Sequence, residues 1–134
     1  MKIKKYVLFI LIINFFFAGC AVTSGSLKKE EPKVNFNVNK NYKMIANQTY
    51  EMLELCDKFP HKREIKFFNT VETASITMTD EQGTFYYFVI DVKKIDDKKS
   101  NVKVYTYFND EMRRIQSFII KDWILNNSKE CQDF

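Results

Sequence analysis

Few side chains of this chain are suited to catalysis. The single histidine, His61, stands between Pro60 and Lys62 in an apparent loop. A nucleophilic or acid–base mechanism near neutral pH would have to use this imidazole, since histidine is the side chain that titrates there. A lone loop histidine is more typical of a solvated side chain. The sequence therefore predicts no catalytic residue and a protein that is not an enzyme.

The acidic pairs fit turns better than acid–base chemistry. They are Glu30-Glu31, Asp80-Glu81 and Asp96-Asp97, in polar surroundings where carboxylates stabilise turns and stay solvated. The sequence also lacks a glycine-rich phosphate loop and a C-x-x-C pair. We therefore expect no cofactor and no metal site.

Asp91 is the carboxylate whose position calls for an explanation. It interrupts the apolar run 85–92, where an unpaired carboxylate would be costly to bury. One interpretation pairs it with Arg113 or Arg114 and makes it a ligand-pocket residue. The other places it at the end of a strand, at the wet edge of the domain, and the sequence favours this second interpretation.

Three cysteines are present, and two of them lie in the body of the chain. Cys56 and Cys131 form an even pair, which in a small exported domain predicts a disulfide. Such a bridge would close a loop of about 75 residues and stabilise the fold by about 4 kcal/mol in the chain-entropy description. The alternative is two unpaired thiols.

The third cysteine follows a segment that resembles an export signal. Lysines precede an apolar run from Tyr6 to Phe17, and the small residues Ala18 and Gly19 lead into Cys20. The apolar run is about a dozen residues long, whereas a helix that crosses a bilayer needs about 20. We expect residues 1–19 to be a removed signal peptide rather than a transmembrane helix.

The residues Phe17-Ala18-Gly19-Cys20 resemble the lipobox of bacterial lipoproteins, with Phe17 where the usual pattern has leucine. The resemblance implies a diacylglycerol and acyl chains such as palmitate on Cys20, and therefore a lipid-anchored protein of the cell envelope. Ala21 is not the aspartate that commonly retains such proteins in the inner membrane. In a cell with two membranes this favours the outer membrane, facing the periplasm. The alternative is an ordinary cleaved signal with Cys20 as an incidental thiol.

The charge of the chain is nearly balanced once the signal is removed. The whole sequence has 21 Lys and Arg against 17 Asp and Glu, and three of the lysines lie in residues 1–19. The remainder carries 18 basic and 17 acidic residues. This balance indicates no nucleic-acid partner. The length after removal of the signal suits one domain.

The sequence divides into a polar tether and one domain. Residues 20–40 contain Ser, Gly, Lys, Glu and Asn without sustained apolar periodicity. We expect this segment to be the lipid attachment site and a flexible tether with a reach of about 25 Å. The domain is predicted to cover residues 41–134.

Helices are predicted at both ends of this domain. Asn41 is a plausible N-cap, and Pro60 stops the first helix near Lys58. Asn109 or Asp110 caps a second helix that ends near Leu125. Their apolar stripes contain Tyr42, Ile45, Thr49, Met52, Leu53, Cys56 and Phe59 in the first helix, and Ile115, Phe118, Ile119, Trp123 and Met112 in the second.

Strand-like segments fill the middle of the domain, at 64–69, 73–79, 84–92 and 102–108. The turns at 80–83 and 96–101 connect neighbouring strands as hairpins. The predicted fold is α+β, a two-layer sandwich. It has an antiparallel meander sheet of three or four strands with an N-terminal and a C-terminal helix.

Aromatic side chains on the strands give the main indication of binding. If both helices cover one face of the sheet, Tyr86, Phe88, Tyr105 and Tyr107 would be displayed on the other. The alternatives are that one helix covers each face of the sheet, or that these rings fill an aromatic core. A register slip of one residue would exchange the faces.

The sequence favours a lipid-anchored interaction module or accessory subunit in the cell envelope. It would contact the membrane through Cys20 and a protein partner through a sheet face or edge. One alternative is a carrier or sensor of a small apolar ligand held around Asp91. The other is an inhibitor or immunity protein that neutralises an enzyme through the turn Asp80–Gln82. Oligomeric state is open.

Overall fold

The computed structural model describes residues 22–108, 110–132 and 134. Their fold is α+β with a five-stranded antiparallel sheet and three helices. The helices are α1 (Ser24–Leu27), α2 (Tyr42–Cys56) and α3 (Glu111–Asn126). The strands are β1 (Val34–Val38), β2 (Lys62–Phe68), β3 (Thr73–Thr79), β4 (Tyr86–Asp96) and β5 (Lys99–Thr106), and a short 3₁₀ turn covers Asn69–Val71.

The strands lie in the order β1-β5-β4-β3-β2, so the four later strands form the predicted meander. β3 shows why the alternating pattern works. Ala74, Ile76 and Met78 point into the core, and Thr77 lies on the opposite face. The prediction of three or four strands was one or two short, because it omitted β1 on the far edge beside β5.

Both long helices cover one face of the sheet, called here the helix face. α2 packs on β2 to β5, and α3 packs on α2 and β1. Each of the two long helices begins at a predicted N-cap. The Asn41 side chain accepts a hydrogen bond from Lys43 N at 2.9 Å, and the Asp110 side chain accepts one from Arg113 N at 2.7 Å. The core on this face includes Ile45, Leu53, Ile76, Phe88, Ile90, Val104, Ile120 and Trp123.

The prediction of a flexible tether over residues 20–40 is wrong for the described part of that segment. Val34–Val38 pairs with β5, with Phe36 opposite Val102. Val22 and Leu27 are buried against Val89 on the other face of the sheet. The segment lacks a long apolar run because it supplies one short edge strand, which buries Val34 and Val38, and two further buried side chains before that strand. The folded unit therefore begins before residue 41.

The predicted buried stripe of α3 is also wrong in large part. Ile115 and Phe118 are exposed, as is Met112, whereas Trp123 is buried as expected. The buried face contains Gln116, Ser117, Ile120, Trp123 and Ile124. Apolar residues surround this helix, so spacing alone allows two stripes, and packing against α2 and β1 selects one. An exposed apolar strip remains on the helix.

Candidate functional site

The four predicted partner-binding aromatics do not share one face. Phe88 is fully buried in the core of the helix face, so its prediction as a displayed residue is wrong. Tyr105 is buried on the opposite, outer face, and Tyr86 packs beside it. Tyr107 is exposed. The outer-face rings are partly covered by Val22 and Leu27, and burial raises the pKa of Tyr105, with a smaller contribution from the charge of Asp91.

A β-bulge explains why Phe88 lies on the other face. Met78 pairs with Phe88, and the next residue, Thr79, pairs with Tyr86, so Tyr87 is an extra residue in β4. Tyr87 packs against the core of the helix face, as Phe88 does. Strict alternation from Tyr86 therefore assigns Phe88 to the wrong face.

Asp91 lies in the middle of β4 on the outer face, opposite the helices. Its carboxylate forms an ion pair with Lys28 Nζ at 2.7 Å and accepts from Ser75 Oγ at 2.7 Å. Neither predicted arginine is its partner, and the strand does not end there. Asp91 instead fastens the segment after α1 to the sheet, and the geometry gives no support to a pocket between sheet and helices around it.

We expect Asp91→Asn to loosen this N-terminal segment. The substitution removes the charge of a partly exposed pair and should cost about 1 kcal/mol. Amide hydrogen exchange should accelerate from Leu27 to Lys33, with the core strands unchanged. Asp96→Asn, in the β4–β5 hairpin, is the matched control and should leave that exchange unchanged. Equal exchange in wild type and Asp91→Asn would contradict the role of this ion pair.

The predicted hairpin turn after β3 is stabilised by Asp80. Its carboxylate accepts from Phe85 N at 2.8 Å, from Thr84 N at 2.7 Å and from Thr84 Oγ1 at 2.7 Å. These hydrogen bonds, that from Phe85 N first, hold the pKa of Asp80 below its ordinary value of 3.8. Gly83 has a φ of 72°, which other residues adopt only with strain. Asp80 is thus engaged within its own loop.

The lowered pKa of Asp80 predicts a pH-dependent contribution to stability. The stabilisation should be complete above the ordinary pKa and be lost as pH falls through the lower pKa of the folded state. The urea midpoint of Asp80→Asn should therefore lie below that of wild type at pH 7, and the difference should shrink as the pH approaches 3. Glu81→Gln is the neighbouring control. A difference independent of pH would contradict the assignment.

The predicted disulfide is present between Cys56 and Cys131, with their Cα atoms 5.0 Å apart. It joins the end of α2 to the segment after α3. Phe134, in that segment, packs against Trp123 and Phe88 with ring centroids 4.9 and 6.1 Å away. The bridge therefore places an aromatic side chain over the end of the helix layer.

The main concavity lies beside this bridge, between α3 and the loop after α2. Two adjoining recesses of about 260 and 610 Å³ share Phe59, Met112, Gln116 and Phe134. We call them together the α3 groove. Phe59 and Met112 are 65% and 64% exposed, so apolar surface continues from the groove onto the helix. The rest of the lining is Asp57, His61, Met78, Tyr87, Glu111, Arg113 and Ile115.

Arg113 supplies the positive charge of the inner recess. Its guanidinium lies 5.4 Å from the ring centres of Tyr87 and Phe88 and 5.8 Å from that of Phe108. Its Nη1 donates to Gln116 Oε1 at 2.8 Å. Within the described part of the chain no carboxylate forms an ion pair with Arg113. The groove therefore presents an oriented cation beside apolar walls.

The buried carboxylate of the groove already has polar partners. The Asp57 side chain, 3% exposed, contacts Arg63 Nη1 at 2.6 Å and His61 Nδ1 at 2.8 Å. It also accepts from Phe59 N at 3.2 Å, which holds the loop in place. At the mouth, Glu111 is exposed and lies 3.9 Å from Arg114. In the inner recess, Arg113 is thus the charge that has no acidic partner among the described residues.

The His61–Asp57 contact resembles the orienting half of a nucleophilic mechanism, because a buried carboxylate fixes the imidazole. The covalent mechanism would also need a nucleophilic side chain beside the ring. The described lining of the groove includes no serine, threonine or cysteine. The His61 ring forms part of the wall of the groove, between the rings of Phe59 and Tyr87.

The sequence pattern does not predict this groove. It offers Arg113 only as a partner of Asp91, and its helical spacing places Phe59, Met112 and Ile115 on buried stripes. One signal was available, namely an excess of apolar residues around α3 beyond what one buried stripe needs. The sequence predicts that Cys56 and Cys131 are paired, but it does not predict that this disulfide brings Phe134 to the groove.

No family model matches the chain, and no curated protein does either. Among the described residues, no helix has the length and apolarity to cross a bilayer. In the same ranges, His, Cys, Asp and Glu side chains form no group of three that could hold a metal ion. The predicted signal peptide and the lipid attachment at Cys20 lie outside the described residues.

Proposed function

We propose that this protein is a lipid-anchored interaction module of the bacterial cell envelope, held by Cys20 in the outer membrane and facing the periplasm. Its protein partner docks in the α3 groove with an apolar segment that carries a carboxylate. The observation that carries the proposal is the Arg113 guanidinium, stacked over aromatic rings at the base of an exposed apolar groove. The function is binding, not catalysis.

The exposed apolar surface continues beyond the groove along α3. Phe118 and Ile115 are 52% and 40% exposed and extend the surface of Phe59 and Met112 along α3. A further recess of about 340 Å³ follows, lined by Phe118, Asp122 and Gln132 among others. Contiguous apolar surface with a polar rim is typical of a protein interface.

The sheet is a poorer docking surface than the groove. Two of its outer-face aromatics, Tyr86 and Tyr105, pack against Val22 and Leu27. The edge strand β2 carries Lys62, Glu64 and Lys66, and charges of this kind discourage added strands. The enzyme-inhibitor alternative needs the turn Asp80–Gln82, but Asp80 caps its own loop. These observations favour the helix side.

A photo-crosslinking amino acid at Met112 tests this docking in living cells. We expect one crosslinked protein species, and the joined segment of that partner should contain Asp, Glu or a C-terminal carboxylate. Met44 on α2 has the same 64% exposure as Met112 and is the matched control, which should give no such product.

Arg113→Gln should weaken that crosslink about tenfold or more, because it removes a charge-assisted hydrogen bond. The urea midpoint of the variant serves as the check on folding. Equal products from Met112 and Met44, or a product that Arg113→Gln leaves unchanged, would refute the docking site.

A further inference from the structure

The described chain enters the domain at one end of the sheet. Val22 is buried against Val89 and Tyr105, and its carbonyl accepts from Tyr86 N at 3.3 Å. Tyr86 is the first residue of β4. The N-terminal segment is therefore fixed to the sheet where β4 begins, and not through a long tether.

Cys20 is covalently close to this end of the sheet. Only Ala21 separates Cys20 from Val22, and two Cα–Cα steps span at most about 7.6 Å. Acyl chains on Cys20 would enter the bilayer within that distance of Val22 plus the length of the Cys20 side chain and its glyceryl group. The start of β4 must then lie at the membrane surface.

Three exposed or half-exposed rings lie beside this point, and we call them the aromatic corner: Phe85, Tyr107 and Phe108. The ring of Phe85 is 4.8 Å from that of Tyr107, and the rings of Tyr107 and Phe108 are 4.9 Å apart. Tyr107 is 48% and Phe108 40% exposed. Phe85 also packs against the cluster that contains Val22, so the corner adjoins the anchored end.

We infer that the aromatic corner lies in the interfacial region of the same bilayer that holds the acyl chains of Cys20. The inference rests on the lipid anchor of the proposed function. Aromatic side chains favour this region, because the rings leave water while the tyrosine hydroxyl stays among the headgroups. The occupant is a lipid surface, because the covalent reach from Cys20 puts a bilayer beside this corner.

The recess beside Tyr107 contains charges of both signs, Lys33 and Glu30. The inference therefore rests on the aromatic rings and on the position of Cys20, and not on net charge. Phe108 also lies 5.8 Å from the guanidinium of Arg113, measured to its ring centre. The bilayer would hold the domain in one orientation, with the α3 groove near the headgroups.

Tryptophan fluorescence in vesicles tests the position of the corner. The full lipidated chain, purified from membranes, is placed in phosphatidylethanolamine–phosphatidylglycerol vesicles that contain phosphatidylcholine brominated on its acyl chains. Tyr107→Trp and Phe108→Trp each add a fluorophore at the corner, and native Trp123 is fully buried and gives a constant baseline. We expect the added emission to be blue-shifted and quenched by the brominated lipid.

Phe68→Trp is the matched control. Phe68 is 47% exposed, close to the 48% of Tyr107. Phe68 pairs with Thr73 at one end of β3, whereas Thr79 at the other end of β3 pairs with Tyr86 beside the aromatic corner. These two ends of β3 are about 20 Å apart. Its added emission should remain red-shifted and unquenched.

The outcomes distinguish a failure of the inference from a failure of the lipid attachment at Cys20 on which it rests. Vesicle flotation and intact mass report the anchor independently of fluorescence. Quenching at both corner positions and not at Phe68 supports the inference. If the protein is lipidated and bound to vesicles but the corner tryptophans are not quenched, the inference is wrong and the anchor still holds. The same conclusion follows if the corner tryptophans become blue-shifted only when a protein partner is added. A chain without lipid on Cys20 overturns both.

Discussion

Trp123→Ala should lower the free energy of unfolding by about 3–5 kcal/mol, the usual cost of emptying a fully buried aromatic site. The indole is fully buried, and its Nε1–H donates to Glu130 O at 2.8 Å. The ring also contacts Phe134, so the substitution loosens the segment that carries Cys131. Urea unfolding of the full-length protein in non-ionic detergent, followed by circular dichroism, measures the loss.

Two variants on the same helix make this result specific. Trp123→Phe keeps most of the apolar contact and loses the hydrogen bond to Glu130, so it should cost about 1–2 kcal/mol. Phe118→Ala removes an exposed ring and should change stability by less than about 0.5 kcal/mol. A Phe118→Ala loss as large as that of Trp123→Ala would show that the opposite face of α3 is buried.

Removal of the disulfide should have an effect of similar size. The bridge joins residues 75 apart in sequence. Opening a loop of this length increases the entropy of the unfolded chain and should cost about 4 kcal/mol. Urea unfolding of wild type with and without reductant measures the change, and the reduced protein should have the lower midpoint.

The double variant Cys56→Ala/Cys131→Ala is the control for this comparison. Its urea midpoint should lie close to that of the reduced wild type, and slightly below it because alanine fills the buried Cys56 site less well. Reductant should not change the midpoint of this variant. If reductant shifted the double variant as much as wild type, the effect would not come from this bridge. A wild type that reductant leaves unchanged would contradict the stabilisation.

Local patterns predicted the parts of the fold that neighbouring residues decide. The N-cap Asn41 and the alternation of Ala74, Ile76 and Met78 were predictable, because caps and strand faces depend on nearby residues. β1 was not, since Phe36 pairs with Val102, far along the chain, and its segment reads as a polar linker. Non-local pairing leaves little trace in a short polar strand.

The candidate site was harder to predict than the fold. Phe88 lies on the face opposite to the predicted one because β4 contains a single extra residue. A β-bulge of that kind has no clear signal in this sequence. On α3, tertiary packing chose Ile120 and Ile124 over Ile115 and Phe118, although both sets have helical spacing. The α3 groove exists because of that choice.

The most direct test of the proposed function is the intact mass of the chain, extracted gently from its own membranes and kept under native conditions. We expect a chain that begins at Cys20 and carries the mass of a diacylglycerol and acyl chains, together with a bound protein that Arg113→Gln releases. An unmodified Cys20 would contradict the lipid anchor. A lipidated chain whose bound protein is indifferent to Arg113→Gln would contradict the docking site in the α3 groove.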